Sequence, residues 1–159
     1  MSVSASISLS KVLQEIERCR EYGEKCGWVI SEVDEPNQTF TTKMVSPIDQ
    51  EKYILEVVFS DYPELPLILD FIDPVSGTKG TKNAFPKNDD SFFHPAPCIC
   101  NPCSRNSYKA FNSSGPHQDW QMIGWKENPK VATLKSVDSI LRAIYSRISN
   151  KKKYHGRMA

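Results

Sequence analysis

The sequence predicts a single α+β domain: an N-terminal helix, a four-stranded antiparallel meander, a long irregular segment and a C-terminal helix. Three observations predict it. Apolar residues recur at helical spacing near both ends, over 10–26 and from Thr133 onward. Four short runs rich in β-branched and aromatic residues lie between 28 and 72, separated by turn residues. The length, 159 residues, suits one domain, and 39% apolar with 25% charged residues suits a packed core.

In the first helix Val12, Leu13, Ile16 and Cys19 form one stripe, Ser8 or Ser10 caps the start, and Gly23 and Gly27 mark the end. Glu15, Glu17 and Glu21 alternate with Arg18, Arg20 and Lys25 on the other face, which reads as solvated. Strands are expected over 28–33, 38–46, 53–59 and 67–72, with Glu35-Pro36-Asn37 turning between the first two. From Asp73 to Trp125 periodicity disappears; the stretch holds four of the seven glycines and six of the eleven prolines. Irregular segments this long inside a domain usually carry function. In the last helix Leu134, Val137, Ile140, Leu141, Ile144 and Ile148 recur on one face. Thr133 or Ser136 caps it, Asp138 faces the positive end of the dipole, and Arg147 with Lys151–Lys153 faces the negative end. The expected organisation is a domain over 1–150 and a basic, flexible tail over 151–159.

Twenty basic against 19 acidic side chains leave a net charge of +1, which removes any global electrostatic case for binding nucleic acid. No apolar run approaches the ~18 residues of a membrane span, so no membrane partner is expected. Met1–Ser10 lacks the basic and apolar regions of a secretory signal, so a cytoplasmic location is expected. There is no Gly-rich nucleotide motif, so no cofactor is expected.

The five cysteines are an odd count, which argues against a disulfide framework. Cys19 and Cys26 read as small buried hydrophobes. The other three cluster in His94-Pro95-Ala96-Pro97-Cys98-Ile99-Cys100-Asn101-Pro102-Cys103. Prolines 95, 97 and 102 stiffen an extended path, along which Cys98 and Cys100 would share one side. Such a cluster suits a nucleophile, whose thiolate is the reactive form. It also suits zinc, with His94, Cys98, Cys100, Cys103 and His117 as ligand types. Cys-x-Cys does not readily place both sulfurs on one zinc, so no metal is the preferred reading. Trp28, Trp120 and Trp125 read as core, and Met122-Ile123-Gly124-Trp125 as a strut beneath the cysteine loop. Lys79, Lys82 and Lys87 read as solvated, with self-modification as the functional alternative.

Three patterns resemble the ubiquitin-conjugating (UBC) family. Tyr62-Pro63-Glu64-Leu65-Pro66-Leu67-Ile68-Leu69-Asp70-Phe71 is similar to its Tyr-Pro, Pro, Phe signature between the third and fourth strands. Phe93-His94-Pro95 resembles the opening of its His-Pro-Asn motif. Ile99-Cys100, followed by Trp120 or Trp125 and the helix from Thr133, resembles its catalytic Ile-Cys element and crossover helix. The resemblance spans about residues 9 to 150. Ala96 stands where the family has Asn, and the intervals Tyr62–His94 and Cys100–Trp120 are longer than in eukaryotic members. These departures resemble the stand-alone conjugating-enzyme-like proteins of bacterial anti-phage CBASS operons.

The resemblance implies a UBC-like fold and a transferase. Cys100 would form a thioester with the C-terminus of a cGAS-like nucleotidyltransferase or a ubiquitin-like protein, taken from its adenylate, and pass it to an amine. An activating enzyme is a further possible partner. The implied site is Cys100 and His94, with Asn101 as oxyanion donor in place of the missing Asn. Cys103 is the alternative nucleophile, Cys98 a tuning group, and His117 and Asn106 further donors. Asp89, Asp90 and Asp119 are the carboxylates available to take a proton. The incoming tail would end in a small residue and lie beside the N–H groups of Ile99 and Asn101. Two other functions fit the same residues: a non-catalytic UBC-fold binding module, favoured by Ala96 and opposed by the three cysteines, and a zinc-stapled interaction domain.

Overall fold

The computed structural model describes residues 3–113 and 115–159; the first two residues of the Met1–Ser10 segment and Ser114 lie outside them. Helix α1 runs Ala5–Cys26, five residues earlier than the apolar stripe suggests. Ser4, not Ser8 or Ser10, is its cap, accepting from Ile7 N–H at 3.3 Å. Ser8 is instead buried and donates to Tyr62 O at 2.6 Å. Val12, Ile16 and Cys19 face the core, while Leu13 is 46% exposed. Gly27 ends the helix with φ +83°, a left-handed cap that glycine adopts without a Cβ penalty.

Four strands follow: β1 Val29–Ile30, β2 Thr39–Val45, β3 Lys52–Val58 and β4 Ile68–Ile72. They form an antiparallel sheet in chain order, with Met44 opposite Tyr53 and Leu55 opposite Phe71. The period of two is visible in burial: Phe40, Thr42 and Met44 in β2, Tyr53, Leu55 and Val57 in β3, and Leu69 and Phe71 in β4 all face the core. Strand β1 is shorter than its apolar run. At Ser31 the side chain takes over the ladder, its Oγ accepting from Thr41 N–H at 2.8 Å.

The expected loop from Asp73 to Trp125 contains three short strands, β5 Pro86–Asn88, β6 Phe93–His94 and β7 Cys98–Ile99, with single helical turns before them at Lys82–Ala84 and after them at Arg105–Ser107. Helix α2 covers Val137–Ile148 and buries Val137, Ile140, Leu141, Ile144 and Ile148 beside α1 and the sheet in one core. Leu134 is buried too, ahead of the helix. Ser136 is the cap, its N–H donating to Ser139 Oγ at 3.3 Å.

Glu15 departs from the solvated face expected of it. It is 1% exposed and accepts from Tyr62 O–H at 2.6 Å and from Val137 N–H at 2.9 Å, with Lys11 Nζ at 3.7 Å. A carboxylate there satisfies a free N–H at the positive end of α2 and ties α1 to the Tyr62 turn. Asp138 stands in the first turn of α2, at the positive end of the dipole as expected, and lies 3.9 Å from Arg18.

The tail is the largest correction. Tyr154–Arg157 forms β8, antiparallel to β5, and Tyr154 and Met158 are buried. Tyr154 O–H shares a 2.6 Å hydrogen bond with Tyr53 O–H, Met158 N–H donates to Phe85 O at 2.9 Å, and the Arg157 guanidinium lies 4.5 Å from the Tyr53 ring centroid. The basic run Lys151–Lys153 is only an exposed turn leading into this strand. A boundary at 150 is therefore not a structural boundary. Among the described residues no helix is long and apolar enough to cross a membrane.

Candidate active site

Strands β6 and β7 form a hairpin, with Phe93 opposite Ile99 and His94 opposite Cys98. The prolines at 95 and 97 thus shape a turn and not the extended path expected of them. His94 Nδ1 accepts the Ala96 N–H at 3.0 Å and closes this turn. His94 does not line the cleft that holds Cys100. Its role at this position is to form the hairpin.

Past Ile99 the chain leaves the strand. Cys100 N–H still donates to Phe92 O at 2.7 Å, which fixes the nucleophile candidate at the end of the hairpin. Its thiol is half-buried and opens into a cleft of about 280 Å³ lined by Ser91, Phe92, His117, Trp120, Lys130 and Arg147, among others. The three clustered cysteines are not equivalent. Cys103 is 0% exposed and Cys98 is 3% exposed. Burial pushes both thiols up to about 12, and for Cys98 the neighbouring Cys100 and Asp70 add to it. Cys98 lines a separate depression with Asp70 and Asn106, so it does not share a side with Cys100. Neither is placed as a nucleophile. Cys19 is buried, as expected, and Cys26 is half-buried.

Asn101 does not face the sulfur as an open donor. Its Oδ1 accepts from Cys103 N–H at 2.9 Å and its Nδ2 donates to Lys130 O at 3.0 Å. It is a clip between the cysteine loop and the turn at 129–131. Asn106 is likewise engaged elsewhere: it accepts from Leu69 N–H at 3.0 Å and donates to Asp70 Oδ2 at 3.1 Å, satisfying the edge of β4. Between them Arg105, buried, donates to Pro66 O at 2.9 Å and pins the loop to the turn before β4. Of the two N–H groups proposed to receive a tail, that of Asn101 is occupied, donating to Ile99 O at 3.1 Å. Ile99 forms a non-hydrogen-bonded pair with Phe93, so its N–H points away from β6, but the residue is 0% exposed.

His117 is the group brought to Cys100. A parallel bridge between Tyr108 and His117 closes the excursion between them, with Lys109 N–H donating to His117 O at 3.0 Å. His117 Nε2 then lies 3.1 Å from Cys100 Sγ. The imidazole stacks on Trp120 with centroids 3.5 Å apart and 6° between planes. Trp120 is edge-on to buried Tyr108 at 5.9 Å, so the ring that orients His117 is itself held. Trp120 is thus part of the site and only half-buried, while Trp125 is core: it is 1% exposed and donates to Pro63 O at 3.0 Å. The expected strut reduces to Trp125 beneath the Tyr62-Pro63 turn, since Ile123 is 59% exposed.

Desolvation raises the Cys100 thiol above its ordinary value, and the charge of Lys130 opposes this. Desolvation lowers His117, Lys130 and His94 lower it further, and Asp119 partly offsets them. At neutral pH the pair is therefore thiol and neutral imidazole. With the proton on Nδ1, Nε2 is the acceptor for the thiol proton. Of the other carboxylates, Asp90 pairs with Arg147 at 3.1 Å on the cleft rim, and Asp89 pairs with His155 of β8. Lys79 pairs with Glu56 at 2.9 Å, and Lys82 and Lys87 line a different depression, beside Phe93 and Met158.

Among the described residues no three His, Cys, Asp or Glu side chains converge as metal ligands. His94 is turned to its own hairpin and Cys103 is sealed in the core, so the ligand set suggested by spacing is dispersed. Lys130, Arg147 and Phe92 are site residues that sequence reasoning missed. The Arg147 guanidinium lies 3.9 Å from the Phe92 ring centroid, but the two are 55 positions apart, and nothing local in the sequence signals the contact.

No known protein family, curated protein or solved structure matches this chain.

Proposed function

We propose that the chain is a thioester acyl carrier of the ubiquitin-conjugating type, in which Cys100 is the nucleophile and His117 its base. The observation that carries the reading is the 3.1 Å Cys100–His117 contact in an open cleft, with the two neighbouring thiols sealed away from it. In this reading the neutral imidazole takes the Cys100 proton as sulfur attacks an activated carboxyl group, then returns it to the leaving group. An amine in the same cleft then attacks the thioester carbonyl; the C–S bond breaks with its electrons on Cys100, and His117 passes the amine proton to the leaving sulfur. The resemblance of the Tyr62–Phe71, His94-Pro95 and Ile99-Cys100 segments to that family, in the order of its elements, supports the assignment.

The donor in this proposal is the C-terminal tail of a cGAS-like nucleotidyltransferase or of a ubiquitin-like protein, activated by adenylation on another enzyme, in bacterial antiviral defence. Because the Asn101 N–H is occupied and Ile99 is fully buried, the tail enters through the cleft bounded by Phe92, Trp120, Lys130 and Arg147 and not as an added strand at the hairpin. The test is co-expression with each candidate partner. Cys100→Ser is expected to trap a reduction-resistant ester, lost when the partner's last residue is deleted. An adduct that persists without that residue would contradict the tail-capture reading.

A further inference from the structure

A tetrahedral intermediate at Cys100 would carry a full negative charge, and from Cys100 to Cys103 the main chain offers it no open donor. Cys100 N–H is bonded to Phe92 O, Asn101 N–H to Ile99 O, and Cys103 N–H to Asn101 Oδ1. Pro97 and Pro102 have no N–H. The family resembled by this chain places an Asn where Ala96 stands, and Asn101 directs its amide to Lys130 O. A cationic side chain of the cleft can meet the charge instead.

Two cations line it. Arg147 is already committed: its Nε lies 3.1 Å from Asp90 Oδ2, its Nη1 donates to Ala143 O at 3.2 Å, and its plane covers Phe92. Lys130 has no ion pair among the described residues. Its Nζ lies 5.9 Å from the centroid of Trp120, the ring stacked on His117. Its backbone carbonyl is bonded to Asn101, the residue after the nucleophile, which ties the main chain at 130 to the cysteine loop. Its charge reaches both members of the pair, lowering the Cys100 thiol and lowering His117.

We propose that Lys130 is a catalytic residue that holds the negative charge of the tetrahedral intermediate formed at Cys100, in place of the missing asparagine. This rests on the acyl-carrier reading above. In the step, the Cys100 proton passes to His117 Nε2 and the sulfur electron pair forms the S–C bond. The carbonyl π pair moves to oxygen, beside the Lys130 ammonium. The pair then re-forms the carbonyl, the bond to the leaving group breaks with its electrons, and His117 returns the proton to that group. The clip is consistent with the role, since the Asn101 amide anchors the main chain from which the Lys130 side chain departs.

The test compares two reactions at the same sulfur. The phenyl thioester of N-acetylglycine acylates Cys100 through an oxyanion; iodoacetamide alkylates it without one. Both are read at Cys100 by peptide mass spectrometry. Lys130→Gln is expected to lower the acylation-to-alkylation ratio on the order of tenfold to a hundredfold. That is less than the loss of an enclosed donor, because Lys130 is solvent-exposed. Lys130→Arg is expected to restore most of it. An unchanged ratio in Lys130→Gln would overturn the role of Lys130 and leave Cys100 as carrier. A wild-type protein that is alkylated but never acylated would overturn the carrier reading, and this proposal with it.

Discussion

Replacing Asn101 by alanine separates a structural clip from a catalytic donor. The substitution removes two hydrogen bonds, to Cys103 N–H at 2.9 Å and to Lys130 O at 3.0 Å. Each is worth about 1 kcal/mol net, and the part-buried Cys103 N–H left without its partner brings the total to about 2–3 kcal/mol. For a chain of this size that lowers Tm by roughly 4–12 °C. The assays are calorimetry and single-turnover acylation by a small thioester. Stability is expected to fall by that amount and acylation by less than about tenfold, through loosened placement of Lys130. An Asn101→Ala protein with an unchanged Tm and a hundredfold loss of acylation would refute the clip and make the amide the oxyanion donor.

Other outcomes follow from the same geometry. His117→Ala should slow Cys100 acylation at pH 7 by on the order of 10²-fold or more, since a neutral thiol then has no base. The loss should shrink as pH rises toward the raised thiol value, where the thiolate forms unaided; a defect independent of pH would contradict the base role. Tyr154→Ala should cost about 3 kcal/mol, as for other large core truncations, measured by urea unfolding, because the ring is buried and its hydroxyl bonds Tyr53 and Asp49. A change below about 0.5 kcal/mol would instead indicate a mobile tail. Under native conditions a maleimide should label Cys100 and half-buried Cys26, with Cys19, Cys98 and Cys103 reacting only after denaturation.

The elements legible in the sequence are those governed by local periodicity. The alternation in Thr39–Val45 and Lys52–Val58 and the apolar face from Val137 to Ile148 locate two strands and a helix to within a few residues. The Ile99-Cys100 pair after His94-Pro95 singles out in the sequence the cysteine that opens into the cleft, whereas His117 is only a remote candidate there, because it reaches the sulfur through the Tyr108–His117 bridge. The tail was misread because charge at 151–153 outweighed Tyr154 and Met158, whose burial depends on β5 being nearby. Glu15 looked solvated because its partners, Tyr62 and Val137, lie 47 and 122 positions away. Asn101 and Asn106 read as donors by residue type. The amide hydrogen bonds that commit them to the backbone of Cys103, Lys130 and Leu69 are visible only in three dimensions.

The most direct test of the central claim is to locate the acyl group. The wild-type protein and its Cys98→Ala, Cys100→Ala and Cys103→Ala variants are each incubated with an adenylated glycine-ended peptide. Intact mass is then measured before and after hydroxylamine. One hydroxylamine-labile adduct is expected on the wild type, on Cys98→Ala and on Cys103→Ala, and none on Cys100→Ala. A labile adduct of full stoichiometry on Cys100→Ala would contradict the account.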